Sequence, residues 1–315
     1  MKRVVYMGTP GFATGPLRAL LDAGYEVAAV VTAPDKPAGR GLNLLESEVK
    51  RFASGKGLKI LQPVSLKDPD FLKELMSLDA PLFVVVAFRM LPKEVWSMPE
   101  LGCFNLHASL LPNYRGAAPI NHAIINGETE TGVTTFFIDD KIDTGEILFQ
   151  ERCPIDESEN AGSLHDKLMA IGSGLVVKTA DSIYNGEALP YPQRVEDAII
   201  KPAPKLTRET GKIDWGRGAK EIYNQIRGLS PYPTAYSELV FPDKTLQVKI
   251  FESEIVYSDK PYPNGTIIRE TKSSFLVFCG ENCLRINELQ PSGKRRMKAS
   301  EFMAGIRDLE NCKMR

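Results

Sequence analysis

Apolar, β-branched runs alternate with amphipathic stretches through the first part of the chain. The runs are almost continuously apolar, which is typical of strands that are covered on both faces. They read KRVVYMG, EVAAVVTA, LKILQP, APLFVVVAF and CFNLHAS. The stretches between them have helical spacing and end in glycine or begin with aspartate: FATGPLRALLDAG, LLESEVKRFASGKG and DPDFLKELMSL. Strands that alternate with helices predict an α/β fold with a doubly wound, Rossmann-like parallel sheet.

Two further strands and two helical regions follow this alternation. GVTTFFID and GEILFQERCPI are strand-like runs joined by DKIDTG, and PINHAIINGE before them has a helical pattern. SLHDKLMAIGSGLVVKTADSIYNG predicts one long helix, or two helices that meet at Gly172 and Gly174. Glycine is unfavourable inside a helix, so the pattern leaves both alternatives open.

The composition then changes. ALPYPQRVEDAIIKPAPKLT carries four prolines without sustained periodicity and predicts an extended linker. Beyond it, GAKEIYNQIRGL predicts a helix, and five short strand-like runs predict a small OB-like β-barrel. The runs are TAYSELVF, KTLQVKIFESEIV, GTIIRET, SFLVFCG and CLRINELQ. We therefore predict a domain at 1–189, a linker at 190–206 and a barrel domain at 207–315.

Composition narrows the class of protein. The 315 residues are 43% hydrophobic and 25% charged, as in a soluble globular protein. No apolar run approaches the roughly 18 residues that a membrane span needs, and the first apolar run is too short for a signal peptide. Five scattered cysteines, without CxxC pairs, argue against a disulfide framework or a zinc site. These observations predict a cytoplasmic protein that needs neither a membrane nor a metal. We expect a monomer, because a chain of two domains needs no partner to close its core.

Charge is distributed unevenly along the chain. Residues 201–315 hold 20 basic and 14 acidic residues, a net charge of +6. Residues 1–200 hold 19 basic and 26 acidic residues, a net charge of −7. An acidic front half and a basic back half indicate two units with different tasks.

The segment NLHASLLP, together with IDTG further on, forms the strongest chemical motif. Strand alternation places Asn105 and His107 on one face, at the carboxyl end of a predicted strand, where open parallel sheets bind ligands. Asp143 lies in a loop that can approach the imidazole. An amide and an imidazolium can donate hydrogen bonds to a developing oxyanion, and a carboxylate can orient the ring and accept a proton. The three side chains predict acyl transfer to an amine without a covalent intermediate.

Blander interpretations exist for the individual residues. A lone histidine in a core strand is usually structural, and only the company of Asn105 and Asp143 changes that view. Ser109 suggests a serine nucleophile, but it lacks the GxSxG elbow, and we expect it to be a loop or ligand contact. The glycines of GTPGFATG are spaced GxxGxxxG and not GxGxxG, so this turn favours a structural role over dinucleotide binding.

The segment LGCFNLHASLLPNYRGAAPI, followed by IDTG, resembles the signature of the formyltransferases that use 10-formyltetrahydrofolate. The resemblance implies that Asn105, His107 and Asp143 are the catalytic residues. It also implies that the turn after them contributes to the folate site. That turn consists of Ser109, Leu110, Leu111 and Pro112.

Members of this family differ in the amine that they formylate. The chain resembles, over its whole length, the members that act on initiator methionyl-tRNA: it shares VVYMGTPGFA, TAPDKPAGRGLNL, KLTRETGKIDW and LQPSGKRRM with them. Members that act on sugar nucleotides have the same two-domain plan but usually lack the PAGRG loop. A sugar-nucleotide amine therefore remains the alternative acceptor, and a non-catalytic RNA- or folate-binding protein remains the alternative from another class.

Two basic segments are candidates for tRNA contacts. Lys36 and Arg40 lie in the loop PDKPAGRG, and Lys294, Arg295 and Arg296 lie in GKRRMK. A charge cluster is usually a solvated surface, but phosphate binding by cations is plausible in a barrel of net positive charge. One segment departs from the family pattern: Arg89 and Met90 stand where relatives commonly have a glycine-containing stretch, at an edge that the resemblance implies is in contact with the pterin.

Overall fold

The predicted strands form two separate seven-stranded sheets. The structure is a computed structural model that describes residues 2–38, 43–194, 200–306 and 309–315. By their internal contacts the residues fall into two compact units. Unit 1 comprises residues 1–116, 130–154 and 165–202, and unit 2 comprises residues 117–129, 155–164 and 203–315. Two short segments from the first half thus group with the C-terminal region, whereas the linear boundaries at 189 and 207 stay a prediction.

Unit 1 contains most elements of the first half. The strands up to residue 154 are β1 (Arg3–Gly8), β2 (Glu26–Val31), β3 (Lys36–Ala38), β4 (Asn43–Leu45), β5 (Ile60–Leu61), β6 (Leu82–Val86), β7 (Cys103–His107), β8 (Arg115–Gly116), β9 (Glu130–Phe137) and β10 (Ile147–Pro154). The helices up to residue 184 are α1 (Thr14–Asp22), α2 (Glu48–Gly55), α3 (Pro69–Ser77), α4 (Lys93–Trp96), α5 (Pro119–Ile125) and α6 (Ala161–Tyr184), with a 3₁₀ turn at Gly11–Ala13.

The sheet of unit 1 has the order β10-β9-β7-β6-β1-β2-β5. Five neighbouring strands are parallel: β7, β6, β1, β2 and β5. Strands β9 and β10 add an antiparallel edge beside β7. The predicted doubly wound parallel sheet is confirmed. The chain leaves β1 toward β2 and β5 and then returns to β6 and β7 on the other side. The carboxyl ends of the parallel strands therefore border a crevice of the kind that binds ligands in open sheets.

Helices cover both faces of this sheet. Phe71 and Leu75 of α3 and Val95 of α4 pack with Cys103 in one apolar cluster. On the opposite face α6 approaches β7 so closely that a Cβ added at Gly172 would lie 2.7 Å from Leu106 Cδ2. The glycine that weakens the helix locally is thus needed for packing, and the predicted long helix runs unbroken from residue 161 to residue 184.

Unit 2 is built around the second sheet. The strands from residue 202 onward are β11 (Pro202–Ala203), β12 (Ala235–Val240), β13 (Thr245–Val256), β14 (Ile267–Arg269), β15 (Phe275–Cys279), β16 (Asn282–Pro291), β17 (Met297–Lys298) and β18 (Lys313–Met314). The remaining helices are α7 (Arg208–Gly211), α8 (Ala219–Leu229) and α9 (Ala299–Ala304), with a 3₁₀ turn at Leu309–Asn311.

The strands from β12 to β18 form the nearly closed antiparallel barrel that the sequence predicts, whereas β11 pairs with β8 in a separate two-stranded sheet. Their order is β14-β15-β16-β13-β12-β18, with β17 beside β16. The ends of this order meet where Met314 N donates a 2.9 Å hydrogen bond to Gly265 O. Ile222 and Ile226 of α8 are fully or almost fully buried against strand residues such as Leu284, which gives unit 2 its own apolar core.

All five cysteines are buried, and none of them forms a disulfide within the described residues. Cys103 and Cys153 belong to unit 1, and Cys279, Cys283 and Cys312 belong to unit 2. Within the described ranges, no helix is long and apolar enough to cross a bilayer.

Candidate active site

The candidate site lies at the carboxyl end of β7 in unit 1. In this strand Asn105 and His107 share a face, as strand alternation predicts. Asn105 pairs with Val85 of β6, and His107 pairs with Thr134 of β9. Asn105 is half-buried, while His107 is only 6% exposed. The strand therefore holds both side chains rigidly where a parallel sheet opens toward a ligand.

The imidazole of His107 has a defined orientation. Its Nε2 lies 2.8 Å from the backbone oxygen of Tyr114. Because a carbonyl oxygen only accepts hydrogen bonds, Nε2 carries the proton and donates it. The other nitrogen, Nδ1, therefore accepts in the neutral ring and faces Asp143.

Asp143 is brought to the imidazole by the loop between β9 and β10. Its Oδ2 lies 3.8 Å from His107 Nδ1, which is an ion-pair distance but beyond a direct hydrogen bond. The same oxygen accepts a 2.9 Å hydrogen bond from Gly116 N. The backbone of Asp143 is left-handed, with φ of 54°, a conformation that aspartate tolerates better than most residues. The loop thus places the carboxylate beside the ring, close enough for an electrostatic interaction but not for a direct hydrogen bond.

The loop has further internal support. The Asp139 carboxylate accepts hydrogen bonds from Lys141 N and Thr144 Oγ1, at 3.0 and 2.8 Å. Gly145 passes so close to β9 that an added Cβ would lie 1.7 Å from Phe137 O. Only glycine fits there, so the IDTG sequence holds the loop against the strand directly after Asp143.

The predicted folate-binding turn follows β7. Ser109 is fully buried, and its hydroxyl donates a 2.7 Å hydrogen bond to Asn113 O. Gln150 Nε2 donates to Leu111 O at 2.9 Å, while Leu110 and Pro112 are half-buried. Among the described residues no hydrogen bond joins Ser109 to His107. A serine nucleophile therefore has no general base in this arrangement, and a ligand would meet the turn through its backbone and apolar side chains.

The neighbouring groups fit chemistry without a covalent enzyme intermediate. Cys103 shares a strand face with Asn105 and His107, but its burial raises the pKa of the thiol far above its usual range, so it stays neutral. No side-chain hydrogen bond of Asn105 is found in the described part of the chain, which leaves its amide available to a ligand. Within the same ranges, no group of three or more His, Cys, Asp and Glu side chains is arranged to hold a metal ion.

Three contributors to the site were missed by sequence reasoning. Tyr114 supplies a carbonyl and Gly116 an N–H, and neither backbone group has a side-chain signature. Gln193 lies in the segment predicted as a linker, yet its side chain binds the Asp143 loop. The four prolines around Gln193 indicated an extended chain but gave no sign of a partner.

The segment that departs from the family pattern, at Arg89 and Met90, is hydrogen-bonded to the loop at residues 63 and 64. The Arg89 guanidinium donates to the backbone oxygens of Pro63 and Val64, to the latter at 2.9 Å. Burial lowers the pKa of Arg89. Met90 beside it is 68% exposed. Arg89 thus ties the chain after β6 to the segment at residues 63 and 64, and Met90 places an apolar side chain in solvent.

The predicted tRNA-binding residues are exposed where the structure describes them. Lys36 lies at the start of β3, and Arg40 lies outside the described residues. Arg295 and Arg296 form ion pairs with Glu301 and Glu288. For Lys294, which is also exposed, no ion pair is found within the described residues. The cluster therefore presents less free charge than its sequence indicates.

Comparison with known proteins gives the chain its family. Residues 1–179 match the family described as "Formyl transferase", and residues 205–307 match "Formyl transferase, C-terminal domain". Over 315 residues the chain is 49% identical to a protein of Bacteroides thetaiotaomicron named methionyl-tRNA formyltransferase, covering 99% of this chain and 98% of the relative. A protein of the same name from Phocaeicola vulgatus is 51% identical over 317 residues, with coverages of 99% and 98%.

A solved structure supports the fold. The N-formyltransferase from Helicobacter canadensis, in complex with folinic acid and dTDP-3-aminofucose, has a TM-score of 0.66 at 22% identity, covering 94% of this chain and 100% of that chain. At this identity the likeness concerns the architecture alone, and it agrees with the parallel sheet and the barrel described above. The two family models and the full-length relatives show that this chain belongs to the formyltransferase family.

Proposed function

We propose that this protein transfers the formyl group of 10-formyltetrahydrofolate to the α-amino group of methionyl-tRNA. The observation that carries the proposal is likeness over the full length, at about half identity, to proteins named for this reaction. A buried imidazole, a facing carboxylate and an amide with free donors at one strand end support the same chemistry.

The proposed reaction needs no covalent enzyme intermediate. The amine nitrogen attacks the formyl carbon, the bond from that carbon to N10 of the folate breaks, and the proton lost by the amine is returned to N10. The formyl carbon is already activated by its bond to N10. The protein therefore has to orient the two substrates and stabilise the charge that grows on the formyl oxygen.

Each catalytic residue has a role in this proposal. The amide of Asn105 donates to the developing oxyanion. Because Nε2 of His107 is held by Tyr114 O, the second donor is Nδ1–H of the protonated ring. Asp143, whose Oδ2 lies 3.8 Å from Nδ1, stabilises this imidazolium and takes the amine proton, directly or through a water molecule.

The folate and tRNA contacts are also proposals. The turn from Ser109 to Pro112 borders the folate site, in agreement with a solved N-formyltransferase that binds folinic acid. Lys36, Arg40 and the cluster of Lys294, Arg295 and Arg296 bind tRNA phosphates. In this proposal the barrel domain is the main tRNA-binding unit, and the protein acts as a cytoplasmic monomer without a metal.

The decisive experiment is incubation of the protein with 10-formyltetrahydrofolate and methionyl-tRNA, followed by detection of formylmethionine. A parallel reaction offers a dTDP-linked amino sugar, because the Helicobacter structure contains such a sugar. Formylation of the tRNA in preference to the sugar is the expected result. Exclusive formylation of the sugar would replace the proposed acceptor, and no transfer to either would leave a binding protein.

A further inference from the structure

The segment that leaves α6 returns to the Asp143 loop. Tyr191 forms an isolated antiparallel bridge with Ile147, the first residue of β10. Ile147 N donates to Tyr191 O at 2.8 Å, and Tyr191 N donates to Ile147 O at 3.0 Å. Because Ile147 comes four residues after Asp143, this bridge brings the next residues alongside the catalytic loop. The first residues of the predicted linker therefore belong to unit 1 and contact the Asp143 loop before the chain reaches the barrel.

Gln193 uses its whole side-chain amide in these contacts. Its Nε2 donates to Asp143 O at 3.0 Å and to Gly145 O at 2.9 Å. Its Oε1 accepts from Nε and Nη2 of Arg115 at 3.2 and 2.6 Å. An amide has two donors and two lone pairs, so all four are occupied and the side chain has one orientation.

These bonds close a ring around the candidate catalytic carboxylate. Arg115 holds Gln193, Gln193 holds the Asp143 carbonyl, and Gly116, the residue after Arg115, holds the Asp143 carboxylate. Asp143 is thereby fixed at its backbone and at its side chain. Its left-handed backbone, with φ of 54°, costs on the order of 1 kcal/mol and persists only where the surroundings impose it.

We propose that Gln193 is a positioning residue for the formyl transfer, acting through Asp143. It holds the loop in the conformation that keeps Asp143 Oδ2 facing His107 Nδ1 across 3.8 Å. Without the two amide donors, the carbonyls of Asp143 and Gly145 lose their partner, and the backbone relaxes away from the left-handed conformation. This inference rests on the proposed function, because it assumes that Asp143 is catalytic.

The test uses two substitutions of Gln193 in the full chain. Gln193→Met keeps the length of the side chain but removes all four hydrogen bonds. Gln193→Glu keeps the acceptor for Arg115 but removes both donors and brings negative charge to two carbonyl oxygens. We expect kcat to fall about 10- to 100-fold in both, since misplacement of a catalytic group by about 1 Å has effects of this size. The KM for 10-formyltetrahydrofolate should change by less than about threefold.

Gln225→Met is the matched control. In unit 2 the Gln225 amide also joins two backbone carbonyls, Thr210 O at 2.8 Å and Lys212 O at 3.0 Å. Its loss removes two amide-to-carbonyl hydrogen bonds, the same number that Gln193 donates to the Asp143 loop, without touching that loop. We expect kcat within about twofold of wild type for this variant at a temperature where it is folded. Equal losses of kcat in Gln225→Met and Gln193→Met would overturn the inference.

A double-mutant cycle separates positioning from simple stability. If Gln193 acts through Asp143, Gln193→Met has no further effect on kcat once Asp143→Asn is present. Additive effects of the two substitutions, or wild-type kcat in Gln193→Met, would overturn the inference. Wild-type transfer activity is measured in the same assay, so its absence identifies a failure of the proposed function instead.

A second measurement does not depend on activity. Nitrogen NMR of labelled His107 reports the surroundings of Nδ1, which faces Asp143. We expect the Nδ1 resonance to move in Gln193→Met and to stay as in wild type in Gln225→Met, with all spectra recorded at one pH. Identical Nδ1 resonances in wild type and Gln193→Met would show that Gln193 does not position Asp143.

Discussion

Asp143→Asn isolates the charge of the carboxylate from its shape. The asparagine oxygen can still accept the 2.9 Å hydrogen bond from Gly116 N, and the side-chain volume is nearly unchanged. The negative charge that faces His107 Nδ1 is lost. The proposed imidazolium is then left without its counter-charge, and the proton acceptor for the attacking amine is lost as well.

The size of the effect follows from the distance between the charges. Oδ2 and Nδ1 are 3.8 Å apart, and the two side chains are 15% and 7% exposed. Two unit charges at about 4 Å interact by about 4 kcal/mol at an effective dielectric constant of about 20. At about 1.4 kcal/mol for each factor of ten in rate, loss of this charge–charge attraction alone would lower kcat by at most about a thousandfold. We therefore expect kcat to fall by about 100- to 1,000-fold.

The assay is a single-turnover formylation of methionyl-tRNA with saturating 10-formyltetrahydrofolate. Asp139→Asn is the control, because Asp139 lies in the same loop and its hydrogen bonds among the described residues, to Lys141 N and Thr144 Oγ1, stay within that loop. We expect this variant to stay within about threefold of wild type. A similar rate for Asp143→Asn, or an equal loss in Asp139→Asn, would refute the role assigned to the Asp143 charge.

Three further predictions concern the rest of the chain. Lys294→Glu should weaken tRNA binding and reduce the slope of the logarithm of the binding constant against the logarithm of salt concentration by about one. Lys272→Glu, at another exposed position, is the control, and an equal loss of affinity there would point to net charge and not to the cluster. Leu284→Ala should lower the free energy of unfolding by about 2–5 kcal/mol in urea titrations, because Leu284 is fully buried in unit 2; a loss below about 1 kcal/mol would contradict the packing described. Hydrogen bonds from Lys2 and Tyr25 lower the pKa of Asp181, so the ionised carboxylate adds to the free energy of unfolding. This stabilisation is fully present above the unfolded-state pKa and is lost as the pH falls through the folded-state pKa. Asp181→Asn should therefore cost less than about 1 kcal/mol near neutral pH, since the ion pair is about 40% exposed. This cost should disappear in strongly acidic solution, and one that persists there would refute the linkage.

The sequence predicts the sheet of unit 1 well because burial on both faces leaves an unambiguous apolar run. It also predicts where helices begin when the cap is a side chain. Asp68, for example, accepts hydrogen bonds from the backbone N–H groups of residues 70 and 71 at the start of α3. The five barrel strands follow from their alternation and turn residues. These signals are local, so they are visible in a single chain.

The features that the sequence did not predict depend on distant contacts. The short strand β3 lies in the basic loop PDKPAGRG, and β4 follows that loop. The few residues of these strands, and the proline in β3, gave no alternation to detect. Asn105 and His107 were predicted to share a face, but the 3.8 Å distance to Asp143 depends on a loop 36 positions further on. Gln193 is the clearest case, because its role arises from a return of the chain that no local pattern encodes.

The burial of all five thiols gives each compact unit its own chemical reporter of unfolding. A small alkylating reagent reaches Cys103 or Cys153 only when unit 1 opens, and Cys279, Cys283 or Cys312 only when unit 2 opens. Peptide mapping after timed alkylation would therefore yield separate opening rates for the two units from one unmodified sample. A folate added to the same reaction would slow labelling in the unit that binds it, which makes the cysteines an internal map of where each substrate stabilises the chain.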